Sequence, residues 1–475
     1  MAILPELLLL TGATSFFVLS LFKNLDFTQV KNAAVCFGFL TIIGTLICLD
    51  SQATLFFGSY EVDMYSQLFK LMISIGLAIA LVFSQDLKDI DAEVRPEYFM
   101  FLFLSTLGLM MVVSSVELIS IFVSLELSSF SLYLLVPMRD DRKGLRIQME
   151  AGIKYILFGV LATGFMLFGM SYIFGLTGTT YLKDIVTGLQ VAPQPAALFA
   201  VVMVLAGFFF KLAVFPMHFW VPDIYQGASN ETSGFIATVP KLAAVALLIR
   251  VVYLASGNIQ FLVYLLMLLA LCSMFYGNLS ALVQTDVKRM LGFSGIAHAG
   301  FILLGLLTMD ASGYGVAIYY IFGYALMNLA CFLVLCNVSS NGENLEINDL
   351  RGLHKRQPVL ALILSVGLFA LAGIPPFVGF MGKFMLLTGA LKSGPESMIH
   401  LIVVILAAIN TAIAIYYYLS VVRAAYTTDP EERPDVQVDG FTQTVGIALV
   451  LLIILMGAFP SKVVAIADTA VRTIM

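Results

Sequence analysis

Five ionisable residues of this 475-residue chain stand in stretches that offer them no water. Glu126 lies within ISIFVSLELSSFSLYLL, Lys211 within FFFKLAV, Lys241 within ATVPKLAAVALL and Lys383 within GFMGKFM. His298 follows Arg289 by nine residues, which as helix is a depth of about 13–14 Å. A charge at the centre of a bilayer costs about 2.5–3.5 kcal/mol on insertion scales, so such residues are functional candidates by default. Their types indicate the chemistry. Burial favours the neutral amine of a lysine and a nearby carboxylate favours the ammonium, so a carboxylate that moves can load and unload a lysine. Lysines in series, with a histidine and bridging water, make a proton relay. The plainer reading is a set of structural ion pairs, satisfied core groups or snorkelling stems. It fits Lys154 best, about one turn inside its span, and it competes for His298. His218, beside Pro216, is a weaker candidate at a channel mouth. His354 and His400 read as surface loop residues.

The composition says what must position these groups. Hydrophobic residues make up 60% of the chain and charged residues 12%, about half the charge of a soluble domain. Mean hydropathy is +0.98. The apolar residues come in runs of roughly 20, the length that crosses a bilayer as helix. That excludes an ordinary soluble enzyme, a disulfide scaffold and a disordered regulator. The net charge of −5 comes without a basic patch, which argues against nucleic acid. Cys36, Cys48, Cys272, Cys331 and Cys336 all lie in apolar runs without a CxxC pair, so they are expected to be buried and inert, with no metal site. No basic segment precedes the first apolar run, which reads as a retained span and not a cleaved signal.

About fourteen spans are expected, helical because the runs are continuous and do not alternate. Span five lies near 116–137, six near 150–175, seven near 194–216, eight near 232–255, ten near 288–308, twelve near 357–392 and fourteen near 441–470. The alternating stretch Thr54–Met64 reads as a short hairpin outside the membrane. With the N-terminus outside, fifteen lysines and arginines fall on the cytoplasmic side, among them Lys23, Lys88, Arg139, Arg142, Lys143, Lys288 and Arg356. Six fall opposite: Lys70, Lys183, Arg250, Lys392, Lys462 and Arg472. That bias obeys the positive-inside rule and puts both termini outside. Spans seven and twelve are interrupted, at Pro216 ahead of the loop Val221-Pro222-Asp223, and at Gly373, Pro375, Pro376, Gly379 and Gly382. Two broken spans five apart, each with a lysine, point to an inverted-repeat transporter. The expected fold is an all-α polytopic membrane protein with two inverted five-helix repeats and broken helices seven and twelve. Residues 1–96 would form an N-terminal unit of three spans, 97–255 and 256–422 the two repeats, and 423–475 a C-terminal span.

Four segments carry a more specific signal: MEAGIKYILFG (149–159), GFFFKLAVFPMHFWVPDIYQGA (207–228), QTDVKRMLGFSGIAHAG (284–300) and LAGIPPFVGFMGKF (371–384). They resemble the signatures of the antiporter-like membrane subunits of respiratory complex I. Within that family the EAGIKY run, a lysine at 383 and a length without a lateral helix resemble the N-type branch. The likeness covers residues 97–425 well and the ends by topology only. It implies that Glu126 partners Lys211, that Lys241 is the central lysine, and that Lys383 is where the proton leaves. It also implies that Lys154 is an additional lysine near the uptake side and that His298 lies on the central polar axis. Ser229-Asn230-Glu231-Thr232-Ser233 departs from the family's proline-containing run, and makes Glu231, with His218, a candidate on the uptake side. Gly295-Ile296 stands where a serine is often found, so one relay hydroxyl is expected to be missing.

The resemblance implies a proton-translocating membrane-arm subunit of NADH:quinone oxidoreductase, itself without redox groups. NADH, FMN, iron–sulfur clusters and quinone would sit in partner subunits, because this chain has no Walker loop, dinucleotide motif or haem motif. The partners would be antiporter-like and small helical subunits, in the cytoplasmic (inner) membrane of a bacterium. The rival readings are a subunit of a multi-subunit cation/proton antiporter or of a hydrogenase-type membrane complex, and a scaffold that transports nothing.

Overall fold

The computed structural model of the chain describes residues 2–22, 26–84, 87–140, 144, 146–252, 259–394, 397–428, 433 and 435–475. Lys23, Arg142, Lys143 and the expected 255/256 boundary lie outside the described residues. The N-terminal part holds α1 (Leu4–Ser20), α2 (Phe27–Ile47) and α3 (Met64–Phe83). Between α2 and α3, β1 (Ala53–Leu55) pairs antiparallel with β2 (Tyr60–Val62), the hairpin expected from the alternation. Then come α4 (Arg95–Ser114), α5 (Leu118–Leu135), α6 (Ile147–Thr177), α7 (Leu182–Val191), α8 (Gln194–Leu212), α9 (Trp220–Gly227) and α10 (Asn230–Val252). They are followed by α11 (Ile259–Ala281), α12 (Val287–Leu306), α13 (Ala311–Val338), the one-turn α14 (Leu353–Arg356), α15 (Pro358–Ala372), α16 (Val378–Lys392) and α17 (Met398–Tyr426). The chain ends with α18 (Gly440–Ala458) and α19 (Pro460–Arg472). Among the described residues twelve helices are long and apolar enough to cross a membrane. The short apolar α1 and the interrupted pair α15–α16 supply the other two of the fourteen expected crossings.

Helix is the only economical backbone here, since hydrocarbon cannot satisfy an exposed N–H or C=O. Acidic side chains start many of the helices. Asp26, Asp63, Glu117, Asp286, Asp310 and Asp439 each accept a backbone N–H in the first turn they cap. Burial sorts the helices into centre and periphery. The most apolar stretches of α10, α12 and α13 are 100%, 94% and 89% buried, against 33% for α6 and 22% for α17. The inner three carry polar residues and the outer ones present apolar side chains to lipid.

Several expectations need correction. Span fourteen is two helices, because Phe459 leaves helical geometry and Pro460 opens α19. Val221, Pro222 and Asp223 are not loop but belong to α9, where Pro222 near the helix start has no intrahelical N–H to give up. α7, amphipathic and short, falls between spans six and seven. His354 lies in α14, stacked on Tyr426 and bonded to the Ala425 carbonyl, and His400 lies in the first turn of α17. Cys48, Cys331 and Cys336 are buried as expected, but Cys36 is exposed and Cys272 half-buried, since they lie on outer faces of their helices. Lys70 is not a charge of the outer surface. It lies wholly buried in α3, 2.6 Å from the Glu6 carboxylate on α1, and the Tyr60 hydroxyl donates to the same oxygen. The sequence hid this pair because its members come from different spans.

Replacing Lys70 with methionine leaves the Glu6 charge buried and unpaired, a change that costs about 3–5 kcal/mol. The Glu6→Gln/Lys70→Met double variant removes both charges and is expected to recover most of that loss. Thermal unfolding in detergent measures both; equal losses in the single and double variants would exclude the pair as the cause.

Candidate functional site

The two helix breaks share one local design. α8 ends in Ala213, in the left-handed region at φ 69°, and Pro216 follows three residues later. α15 ends in Gly373, at φ 86°, and Pro376 follows at the same interval. Such a residue stops a helix in one step and leaves carbonyl groups without intrahelical donors. The two breaks satisfy those carbonyls differently. At the first, the Trp220 indole donates to the Phe210 carbonyl at 3.0 Å. At the second, the Lys383 ammonium reaches back from α16 to the carbonyls of Leu371 (2.9 Å) and Ala372 (3.2 Å). A cation at a helix C-terminus is also favoured by the aligned peptide dipoles. Gly379 makes the approach feasible, because a Cβ there would collide with the Ala370 carbonyl.

The inner helices bring three of the sequence candidates together. Lys241 on α10 donates to the Tyr324 hydroxyl at 3.1 Å and lies 5.1 Å from the centre of that ring. His298 on α12 bonds through Nδ1 to the Tyr320 hydroxyl (2.7 Å) and through Nε2 to the Tyr418 hydroxyl (3.1 Å). Tyr418 donates in turn to Ser294 at 2.6 Å. His298 is within electrostatic reach of both Lys241 and Lys383, and Lys383 lies 5.1 Å from the centre of the Phe301 ring. All three residues are at most 3% exposed. A histidine with both ring nitrogens bonded to hydroxyls can take a proton at one and release it at the other, provided the hydroxyls turn over.

Gly295 explains the hydroxyl expected to be missing. A Cβ at this position would come within 2.8 Å of both the Lys241 ammonium and the Tyr324 hydroxyl. The bare backbone makes room for that bond, and tyrosines from α13 and α17 supply the hydroxyls. The sequence reading missed Tyr320, Tyr324, Tyr418 and Ser294. Its one available signal was Tyr320, Tyr324 and Asn328 at four-residue spacing, a polar stripe on an otherwise apolar helix.

Glu126 and Lys211 form a second group, lining one small pocket with Ser129, Tyr133 and Thr163. Glu126 accepts from the Thr163 hydroxyl at 2.8 Å. The buried Lys211 ammonium has no hydrogen-bond partner, so the two residues share a pocket without a direct ion pair. Among the described residues no hydrogen bond joins Lys211 to the Lys241 group. Lys154, seven residues into α6, is ion-paired to Glu150 (2.6 Å) and Asp223 (2.8 Å), and Asp223 also binds Arg289 at 2.6 Å. His218 is fully buried, stacked on Phe215, tilted against Phe219 and edge-on to Tyr276, with neither ring nitrogen bonded. Glu231 lies in the first turn of α10, 5% exposed. Among the described residues no group of three His, Cys, Asp or Glu could hold a metal ion.

Residues 115–411 match the model of a family described as NADH:quinone oxidoreductase/Mrp antiporter, transmembrane. A protein of Opitutus terrae named NADH-quinone oxidoreductase subunit N 2 is 48% identical over 99% of this chain and 98% of its own length. A chain in the structure of respiratory complex I from Thermus thermophilus, with bound aureothin, superposes with a TM-score of 0.83 at 30% identity, covering 98% of this chain and 99% of that one. A chain of the Mrp complex from a Dietzia species superposes with a TM-score of 0.86 over 100% of this chain and 96% of its own, but at 18% identity, a likeness of fold alone.

A methyl group at 295 must displace the Lys241–Tyr324 contact. Gly295→Ala is expected to lower thermal stability by about 1–3 kcal/mol, the usual range for overpacking. Adding Tyr324→Phe removes one of the two colliding atoms and should return part of the loss. A Gly295→Ala protein as stable as the parent would show that the contact is not tight.

Proposed function

This chain belongs to the NADH-quinone oxidoreductase subunit N family, and on that premise we propose how it moves protons and on which side it takes them up. It is an integral membrane, proton-translocating subunit of the membrane arm of that oxidoreductase complex, and its partners are the other subunits of the arm. In the proposal, NADH, FMN, iron–sulfur clusters and quinone belong to partner subunits, and this chain contributes a relay without redox steps. The basic face is cytoplasmic, both termini are periplasmic, and the membrane is the inner membrane of a bacterium. The two inverted repeats are residues 97–255 and 256–422, between a three-span unit (1–96) and a C-terminal segment (423–475).

The observation that carries the relay is the buried series Lys241–Tyr324, His298 with its two tyrosines, and Lys383. The Tyr324 hydroxyl touches the Lys241 ammonium, and His298 lies within the field of both lysines. A proton leaving Lys241 passes to the imidazole, which releases its other proton toward Lys383. The carbonyls at the end of α15 then favour the charged form of Lys383 before the proton leaves to the opposite face. Glu126 and Lys211 act upstream. A carboxylate drawn toward Lys211 favours the ammonium, and one drawn away favours the free amine. Lys154, with Asp223 and Arg289, lies on the uptake side, where His218 also belongs. The full-length similarity to an oxidoreductase subunit favours this reading over the Mrp-type antiporter, whose likeness is one of fold.

The relay requires groups that release protons, and arginine does not at working pH because its pKa exceeds 12. Lys241→Arg, Lys241→Met, Lys383→Arg and Lys383→Met are each expected to cut translocation by tenfold or more in the assembled complex. Glu126→Ala should impair it more than Glu126→Asp. Quinone reduction and proton translocation measured together in reconstituted vesicles give the answer. Full translocation by Lys383→Arg would make that residue a structural cation.

A further inference from the structure

One buried carboxylate is not explained by the relay just described. Glu231 sits on the first turn of α10, 5% exposed, and its Oε2 atom has no hydrogen-bond partner. Around it the turn joining α9 to α10 is held from several elements. Arg139 donates to the carbonyls of Gln226 (3.0 Å) and Ala228 (3.3 Å) while its Nε pairs with Asp89 at 2.9 Å. Lys288 on α12, 1% exposed, donates to the same Ala228 carbonyl at 2.8 Å. Asn344 adds a bond to the Gln226 carbonyl at 2.8 Å. Two cations therefore hold the carbonyl end of α9, where helix dipoles favour positive charge. Glu231 occupies the opposite kind of place, the N-terminal turn of α10.

The charged and titratable groups around Glu231 come from every neighbouring element: Asp89 after α3, Tyr98 on α4, Lys288 on α12 and Cys336 on α13. Lys288, the cation within its field, spends its hydrogen bond on Ala228, and among the described residues Glu231 forms no ion pair. Burying a carboxyl group with one oxygen unbonded costs free energy, which its place on the helix N-terminal turn offsets only in part. The group lies at the basic face, on the helix that carries Lys241 ten residues further in, about 15 Å by helix rise.

Resting on the translocation reading above, we propose that Glu231 is the proton-uptake carboxyl of this chain and that Lys288 is the positioning cation that holds its turn. The step is a proton transfer only. The Glu231 carboxylate takes a proton from water at the basic face, becomes the neutral acid, and gives that proton inward when the next group of the relay is empty. Lys288 lowers the cost of the charged state and keeps the α9–α10 carbonyls turned away from the carboxyl group. The carboxyl comes from Ser229–Ser233, the segment in which this chain departs from the pattern of the antiporter-like subunits.

The test uses the complete complex in vesicles with the basic face outward, reading protons moved per quinone reduced across a range of outer pH. Glu231→Gln keeps size and hydrogen bonding but holds no exchangeable acid, and is expected to lower that ratio tenfold or more. Glu231→Asp should keep pumping with a displaced pH profile. The Glu231→Gln/Lys288→Met double variant separates the roles: a structural ion pair would be relieved by removing both charges, whereas an uptake site stays lost. Normal pumping by Glu231→Gln, recovery in the double variant, or an unchanged pH profile in Glu231→Asp would each overturn the proposal. If Glu231→Gln does not assemble, the Glu231→Asp profile decides. Lys241→Met in the same preparation keeps the two readings apart. If it is silent while Glu231→Gln pumps, the uptake assignment alone fails; if it pumps normally, the relay fails and the assignment with it.

Discussion

A charge inside this molecule must be given its partner by the chain, because neither hydrocarbon nor the packed core supplies one. Most of the buried cations obey. Lys70 has Glu6, Arg250 has Asp63 at 2.9 Å, Lys383 has two helix-end carbonyls and Lys241 has a tyrosine hydroxyl. These partners are not equivalent. A carboxylate fixes the charge of a lysine, while a hydroxyl or a carbonyl solvates the ammonium without opposing its charge. The carboxylates of these pairs come from α1 and the start of α3, and the softer partners lie along the inner helices. In the proposed relay, permanent and exchangeable charge are thus kept in different parts of the fold.

The helix breaks follow from the same constraint. An unbroken helix offers no free backbone acceptor in its middle, so a lysine there could be solvated only by side chains. Ending α15 at a left-handed glycine brings carbonyl acceptors to Lys383, and Gly379 lets α16 approach closely enough to use them. Where α8 breaks, the indole of Trp220 takes up a carbonyl, and among the described residues Glu126 is the one charged neighbour that lines the pocket with Lys211. The two breaks look alike in backbone, yet one leaves its lysine bonded to two carbonyls and the other leaves it unbonded, sharing a pocket with an acid.

How much of this could be read from the residues alone depends on the range of the interactions. Hydrophobic run length gave the crossings, and proline gave both breaks, with glycine beside it at the second, because these signals are local. Glu126, Lys211, Lys241, His298 and Lys383 stood out because a charge in an apolar run is anomalous without knowing its neighbours. What pairs with what was not readable. Arg250 and Asp63 are 187 positions apart, and Tyr60 reaches Glu6 across 54. Nothing local distinguishes Lys70, buried against Glu6, from a surface lysine near a span end. The tyrosines around His298 were hidden for a different reason. Tyrosine is at home in an apolar helix, so only the fold shows that Tyr320, Tyr324 and Tyr418 point their hydroxyls at one histidine and one lysine. Gly295 is the extreme case, since its contribution is a side chain that is absent.

The arrangement is not a continuous wire, and a pump requires that it not be one. A hydrogen-bonded path open from face to face would let protons run down their gradient as fast as any mechanism could raise them. Here His298 lies within the field of Lys241 and of Lys383 without a hydrogen bond to either among the described residues, and Lys211 is unbonded and linked to that group by no hydrogen bond. Beside Lys211 stands Glu126, a half-buried carboxylate that among the described residues accepts from a single threonine hydroxyl. A carboxylate held at one point changes position at smaller cost than His298, bonded at both ring nitrogens, or Lys383, bonded to two carbonyls. In the proposed relay, movement falls to the pair whose separation decides whether Lys211 keeps its proton, and fixed geometry to the residues that need only pass one along.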